Sequence, residues 1–270
     1  MSIAEMVLAG SVGDTVPGPV SDAVVKHSPR DPVAQRILAL LEACAAQRQP
    51  SSITALAEAT GLAKSTVHRL CWKLEGLGML DHIEGGFLIG TKLFALAGAN
   101  PVIGDLRVAA MPYLVELQKI TGASQLAVLN GSMALIVDGL YTKNLRAATL
   151  VGSSMPLYCT AAGKALLARM GVGDREQYLS RGMMPAVTPR TTVNPAMLRR
   201  QIERIREAGY AVSNEEFQMG IVGIAAAFQL RENTFAAIGC VSTSTDRAID
   251  RAAAGVRSAA IQLDRYFAQG

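Results

Sequence analysis

The chain has 270 residues, enough for one large domain or two ordinary ones. Half of them are apolar and only 18% are charged, a composition that supplies a packed core and excludes global disorder. The net charge of +4 is too small to coat the surface for nucleic acid, so DNA binding must rest on a few placed cations.

Residues 1–29 show no sustained period and are expected to form a flexible tail, without the basic start and apolar run of a secretion signal. Asp31-Pro32 reads as an N-cap and first helical position, and Val33, Ile37, Leu40, Leu41 and Cys44 then mark one helical face. A second helix is predicted from Ile53 to Ala59, stopping at Gly61, and a third from Lys64 to Leu77, stopping at Gly78. Met79–Ile83 and Phe87–Ile89 around Glu84-Gly85-Gly86 read as a small hairpin. Thr91 is expected to cap a short helix through Ala97, interrupted at Asn100-Pro101.

Beyond that break, a helix over Val102–Ile120 carries Leu106, Ala110, Leu114 and Leu117 on one side. Two strands joined by Asn130-Gly131 follow, then a strand near Ala147–Val151 and a helix after Thr160. Asn194-Pro195 opens a helix with Leu198, Ile202 and Ile205 on one face and Gly209 at its end. Ile221–Leu230 and Thr234–Thr243 read as strands flanking a polar turn. The last helix bears Ile249, Val256, Leu263 and Phe267. The pattern is α+β: a mostly helical winged helix-turn-helix, a linker helix, and a C-terminal domain with an antiparallel sheet. The expected division is a tail over 1–29, a DNA-binding domain over 30–90, a linker helix over 91–100 and an effector-binding domain over 101–270.

The three histidines, His27, His68 and His82, all precede residue 83. Residues 100–270 therefore lack imidazole, which removes Ser-His-Asp and Cys-His catalysis from the larger part of the chain and makes zinc improbable there. Cys44, Cys71, Cys159 and Cys240 form no CxxC pair and read as reduced thiols of a cytoplasmic protein. No stretch reaches the ~18 consecutive apolar residues of a membrane span. No metal, cofactor or membrane is expected.

The segment from Ile53 to Leu70 has helix-turn-helix spacing: small Ala57 where two helices cross, and Gly61 four residues later where the turn favours positive φ. On the third helix Val67, Leu70, Cys71, Leu74 and Leu77 point inward. Ser65, His68, Arg69 and Trp72 point outward, with Thr66 and Lys73 on the flank. With Lys64, these hydroxyls and cations suit phosphate anchoring and base-edge contacts, against the plainer reading of a solvated amphipathic face. Lys64, Ser65, Thr66, His68, Arg69 and Lys73 are the candidate DNA-binding residues, whereas Trp72 faces outward without an assigned role. Ala63-Lys64-Ser65 is not a phosphate loop, because no glycine stands at the required upstream position.

The string Thr60-Gly61-Leu62-Ala63-Lys64-Ser65-Thr66-Val67-His68-Arg69-Leu70, continued through Leu74–Leu80, resembles the recognition segment of the IclR family of regulators. Gly152–Leu157, Thr160–Ala168, Thr188-Pro189-Arg190-Thr191, Gly209–Val212, Asn214-Glu215-Glu216 and Gly220 resemble that family's effector domain. The resemblance implies a GAF-like sensor with a curved antiparallel sheet, a small carboxylic or aromatic acid as effector, and dimers, often paired into tetramers, on palindromic double-stranded operators. It carries the family's effector positions onto Met155, Ala161, Ala162, Ser213, Gly223, Cys240 and Ser242. Small residues at Ser213 and Gly223 imply an effector larger or less polar than a two-carbon acid. Alternatively, Ala161, Ala162 and Gly163 only allow close helix packing, and Cys240 is a buried small hydrophobe.

The expected function is a ligand-modulated DNA-binding regulator, repressor or activator, and not an enzyme. The alternatives are an enzyme with an appended winged helix, using Cys159 or Thr160/Lys164, and a winged helix serving protein contacts alone. Lys64, Arg69 and Lys73 on one face argue against the last.

Overall fold

Close packing divides the chain between Gly104 and Asp105. The structure, a computed structural model, describes residues 32–47, 49–142, 150–181, 184–243 and 247–269. The expected tail over 1–29, the Asp31 cap and residues 147–149 of an expected strand lie outside them.

In the N-terminal unit, α1 (Pro32–Ala45), α2 (Ile53–Thr60) and α3 (Lys64–Gly76) close on Leu40, Cys44, Leu56, Val67, Leu70, Cys71 and Leu74. Ser52 caps α2, its hydroxyl accepting from the Ala55 amide at 3.2 Å. Gly61 ends α2 at φ +68° with its N–H on the Ala57 carbonyl, the left-handed turn expected there. The hairpin of β1 (Leu80–Ile83) and β2 (Gly86–Ile89) gains a third partner, since Ser51 bridges Phe87. A Cβ on Gly86 would stand 2.2 Å from the Ser51 carbonyl oxygen, so only glycine allows this contact. Three expectations are corrected here. Val33 remains 53% exposed, and Leu77, beyond the end of α3, is 56% exposed. The N-cap of α4 (Thr91–Gly98) is Gly90, which leaves Thr91 as its first helical residue.

In α5 (Pro101–Thr121) the four apolar positions expected on one side are all buried. The antiparallel sheet of the C-terminal unit has six strands among the described residues. They are β3 (Ala123–Asn130), β4 (Met133–Tyr141), β5 (Ser154–Pro156), β6 (Ala211–Asn214), β7 (Val222–Arg231) and β8 (Thr234–Ser242), in the order β5-β4-β3-β8-β7-β6. The first hairpin turns on Gly131-Ser132, not Asn130-Gly131. Asn130 pairs with Met133, and φ is positive at Gly131 but not at Ser132, as a type II′ turn requires. Residues 151–152 are turn, and the next strand begins at Ser154.

One face of the sheet carries α6 (Ala161–Arg169), backed by α8 (Pro195–Ala208); the other carries α9 (Arg247–Ala268). Thr160 caps α6 and Asn194 caps α8, whose left-handed end at Gly209 was expected. The helix α7 (Val172–Ser180) and strand β6 had no periodic signal strong enough to predict them. Helix α6 can lie this close because position 163 is glycine: a Cβ there would be 2.4 Å from Leu157 Cα. Residues 161–168 are consequently all buried, including the charged Lys164. No single helix among the described residues is long and apolar enough to cross a membrane.

Candidate functional site

Helix α3 presents its N-terminal half outward. Lys64, Ser65, His68, Arg69, Trp72 and Lys73 are exposed, and Thr66 is half-buried. The N-cap, Ala63, has no side-chain acceptor; the Thr66 amide donates to the Ala63 carbonyl at 2.9 Å, and no side chain among the described residues caps the turn that begins at Lys64 and Ser65. Such an end suits a phosphate oxygen. At the other end Lys92 donates to the Leu77 carbonyl at 2.9 Å, tying α3 to α4. All six candidate DNA-binding residues thus share one helix, and five of them are exposed.

Trp72, unassigned by sequence, joins α3 to the hairpin. Its indole N–H donates to His68 Nε2 at 3.2 Å, and its ring lies 4.8 Å from that of His82 on β1 and 5.5 Å from Phe87 on β2. Aromatic contact with the hairpin therefore covers much of this outward tryptophan.

The seven candidate effector residues divide by strand parity. Ser213 lies opposite Gly223, and Gly223 opposite Val241; a Cβ at Gly223 would be 3.3 Å from the Ala161 Cβ. Ser213 donates to the Cys159 carbonyl at 2.8 Å, just before α6. Ala161, Ser213 and Gly223 therefore meet at the first turn of α6, and Met155 and Ala162 belong to the same packed core. Cys240 and Ser242 do not. Cys240 pairs with Ile224 and Ser124, and the Ser124 hydroxyl donates to the Leu114 carbonyl of α5 at 2.7 Å. Side chains alternate across a strand, so positions 240 and 242 face the side opposite α6, while Gly239 and Val241 face α6. The fold thus sets Cys240 and Ser242 apart from the other five candidates, a division that sequence spacing cannot detect.

Behind α6 stands a buried ion pair that only the folded chain reveals: Lys164 Nζ and Glu216 Oε1 are 2.5 Å apart, with side chains 2% and 10% exposed. The Thr188 hydroxyl donates to the Glu215 carbonyl at 2.7 Å and that of Thr191 to the Glu216 carbonyl at 2.6 Å. Arg190 pairs with Glu215 at 3.0 Å. The Thr-Pro-Arg-Thr and Asn-Glu-Glu segments are therefore two halves of one latch, closed on α6 by the ion pair. The sequence separation of 52 between Lys164 and Glu216 leaves no local pattern to find it by. A cleft of about 270 Å³ lined by Lys164, Gln201, Arg204, Tyr210 and Glu216 opens beside the pair. None of the seven effector candidates lines it.

The catalytic alternatives have no working nucleophile. Thr160 Oγ donates to the Pro156 carbonyl at 2.8 Å and accepts from the Gly163 amide, while Lys164 is engaged by Glu216. Burial pushes the Cys159 thiol up to about 12, which keeps it protonated and unreactive near neutrality.

A model of the IclR helix-turn-helix domain matches residues 33–83, and a model of the bacterial transcriptional regulator IclR C-terminal domain matches residues 103–265. The transcriptional repressor IclR of Escherichia coli is 31% identical over 238 residues, spanning 84% of this chain and 87% of its own. The HTH-type transcriptional regulator XynR of the same organism is 29% identical over 229 residues, 83% of this chain and 90% of its own. An IclR homolog from Microbacterium hydrocarbonoxydans, solved in complex with 4-hydroxybenzoate, superposes with a TM-score of 0.76 at 25% identity, covering 88% of this chain and 99% of that one. These relatives are regulators of transcription, not enzymes. The chain belongs to the IclR family of bacterial transcriptional regulators, with its helix-turn-helix as the DNA-binding domain and its C-terminal domain as the effector-binding one.

Proposed function

We propose that the protein regulates transcription in the cytoplasm by binding a palindromic operator as a homodimer or a pair of dimers, and that a small carboxylic or aromatic acid shifts this binding. In this reading residues 30–90 are the reading head, 91–100 the linker and 101–270 the sensor. Lys64, Ser65 and Thr66 anchor phosphates at the start of α3, His68 and Arg69 read base edges, and Lys73 contacts the backbone. What carries the reading is the exposure of five of these six residues on one recognition helix without a side-chain cap, beside a hairpin wing. Exposed Val33, Leu38, Phe94 and Leu96 support self-association through the N-terminal unit.

Replacing Arg69 by alanine is expected to lower discrimination between cognate and altered DNA by about 1–3 kcal/mol, the value of a good arginine–guanine contact. Titration of duplexes from the gene's own upstream region measures it. Unchanged affinity and selectivity in the variant would move the reading face elsewhere.

The effector is placed by this reading at the first turn of α6, among Met155, Ala161, Ala162, Ser213 and Gly223, with Gly239 and Val241 in place of Cys240 and Ser242. Small side chains there favour a ring or a branched acid over a two-carbon one. A panel of carboxylic and aromatic acids, 4-hydroxybenzoate among them, is expected to contain a member that raises the melting temperature of the full chain. A ligand at a hundred times its Kd stabilises by about 2.7 kcal/mol. A panel without any shift would sink the sensor assignment.

A further inference from the structure

We propose that Trp72 is a positioning residue for base readout: it holds neutral His68 with its proton on Nδ1, so that α3 offers DNA a hydrogen-bond donor at that position. The inference rests on α3 being the reading helix.

Trp72 lies one helical turn after His68, and both side chains are exposed. An indole carries one N–H donor and no acceptor. That N–H points at His68 Nε2 from 3.2 Å. A ring nitrogen that accepts a hydrogen bond has no proton of its own, so a neutral imidazole in this geometry must be protonated at Nδ1. The indole is not free to swing away. Its ring packs at 4.8 Å on His82 and at 5.5 Å, nearly edge-on, against Phe87, and Phe87 is itself only 2% exposed. His82 and Phe87 are in turn 4.8 Å apart and paired across the hairpin. The wing thus fixes the tryptophan, and the tryptophan fixes the histidine. Without that contact, neutral His68 can present either nitrogen as donor or acceptor, and its contact with a base loses its sign.

The chemical consequence is selective. A fixed Nδ1–H favours acceptors on the DNA, such as guanine N7 and O6 or thymine O4, and disfavours the amino groups of cytosine and adenine. A fixed tautomer also makes the wing part of specificity without requiring the wing to touch a base.

Two measurements test this. In the full chain carrying 15N-labelled histidine, studied at alkaline pH where the rings are neutral, two-bond 15N–1H correlations should show His68 protonated at Nδ1 and bare at Nε2. Trp72→Phe, which keeps the aromatic packing but has no donor, should show a mixture of tautomers. A parent protein with the His68 proton on Nε2 overturns the proposal, and this measurement decides alone if the variant does not fold. The second measurement is selection from a pool of randomised duplexes. Trp72→Phe is expected to lose about three- to tenfold of its preference at one base position in each half-site, the value of a single hydrogen bond. His68→Ala should lose preference at that same position. If His68→Ala keeps every preference, the reading of His68 itself has failed. If His68→Ala loses the preference and Trp72→Phe retains it, the reading stands and the role of Trp72 is overturned.

Discussion

Replacing Gly163 by alanine is expected to destabilise the C-terminal domain by about 3 kcal/mol, the upper end of ordinary overpacking costs. The added methyl would be 2.4 Å from Leu157 Cα, 2.6 Å from its carbonyl oxygen and 2.7 Å from that of Pro156. All three are backbone atoms, so no side-chain rotation relieves the clash, and α6 must lift away from the segment leading out of β5. Such a shift also opens the contact between Ala161 and Gly223 at the candidate effector site. For a domain of this size, 3 kcal/mol corresponds to a fall in melting temperature of about 6–12 °C. Gly173→Ala in α7 is the matched control, because a Cβ there meets nothing within 4 Å. Calorimetry of the two variants should separate them clearly. A Gly163→Ala protein that melts with the parent would mean that α6 does not pack directly on the Pro156–Leu157 backbone.

The second large effect concerns the latch. Lys164→Met leaves Glu216 buried without its cation, a change that costs about 3–5 kcal/mol when a buried pair is broken from one side. Glu216→Leu strands the lysine in the same way and by a similar amount. The double variant removes both charges and is expected to recover much of the loss, since apolar replacement of a whole buried pair is often neutral. The sum of the two single effects should therefore exceed the double effect by several kcal/mol, as a double-mutant cycle in denaturant would measure. Glu216 Oε2 has no hydrogen-bond partner among the described residues, which leaves the lysine as its chief compensation. Single variants that each cost under about 1 kcal/mol would show the pair to be effectively solvated, in the range of surface ion pairs. A lost latch should also weaken any effector response, because Lys164 and the Ala161–Ala162 turn belong to one short helix.

The parts legible in the sequence are those where local chemistry dictates local structure. Ala57 and Gly61 announce the tight turn before α3, Asn194 and Gly209 mark the ends of α8, and the 3.6-residue spacing of Leu106, Ala110, Leu114 and Leu117 selects the buried side of α5. Errors gathered where local signals are ambiguous by one residue. Asn130-Gly131 and Gly131-Ser132 are both credible turn pairs, and the choice follows from the register of two strands. Leu77 continues the helical period of α3, but α3 ends before it.

The reading head is legible in the chain itself, because the turn and its two helices lie in one short segment, Ile53 to Gly76, and the outward side chains follow from helical period alone. The sequence also determined that the larger domain has no histidine with which to do hydrolytic chemistry. The wiring of the sensor and of Trp72, by contrast, depends on contacts between separate elements of the fold. Placing Cys240 and Ser242 on the face away from α6 required the register of β8 against β3 and β7. Pairing Lys164 with Glu216 required two segments distant in the chain to meet. Trp72 needed the hairpin folded back on α3 before its indole had a partner. Local periodicity reports which side of an element is apolar; it carries no information on which distant element will cover that side.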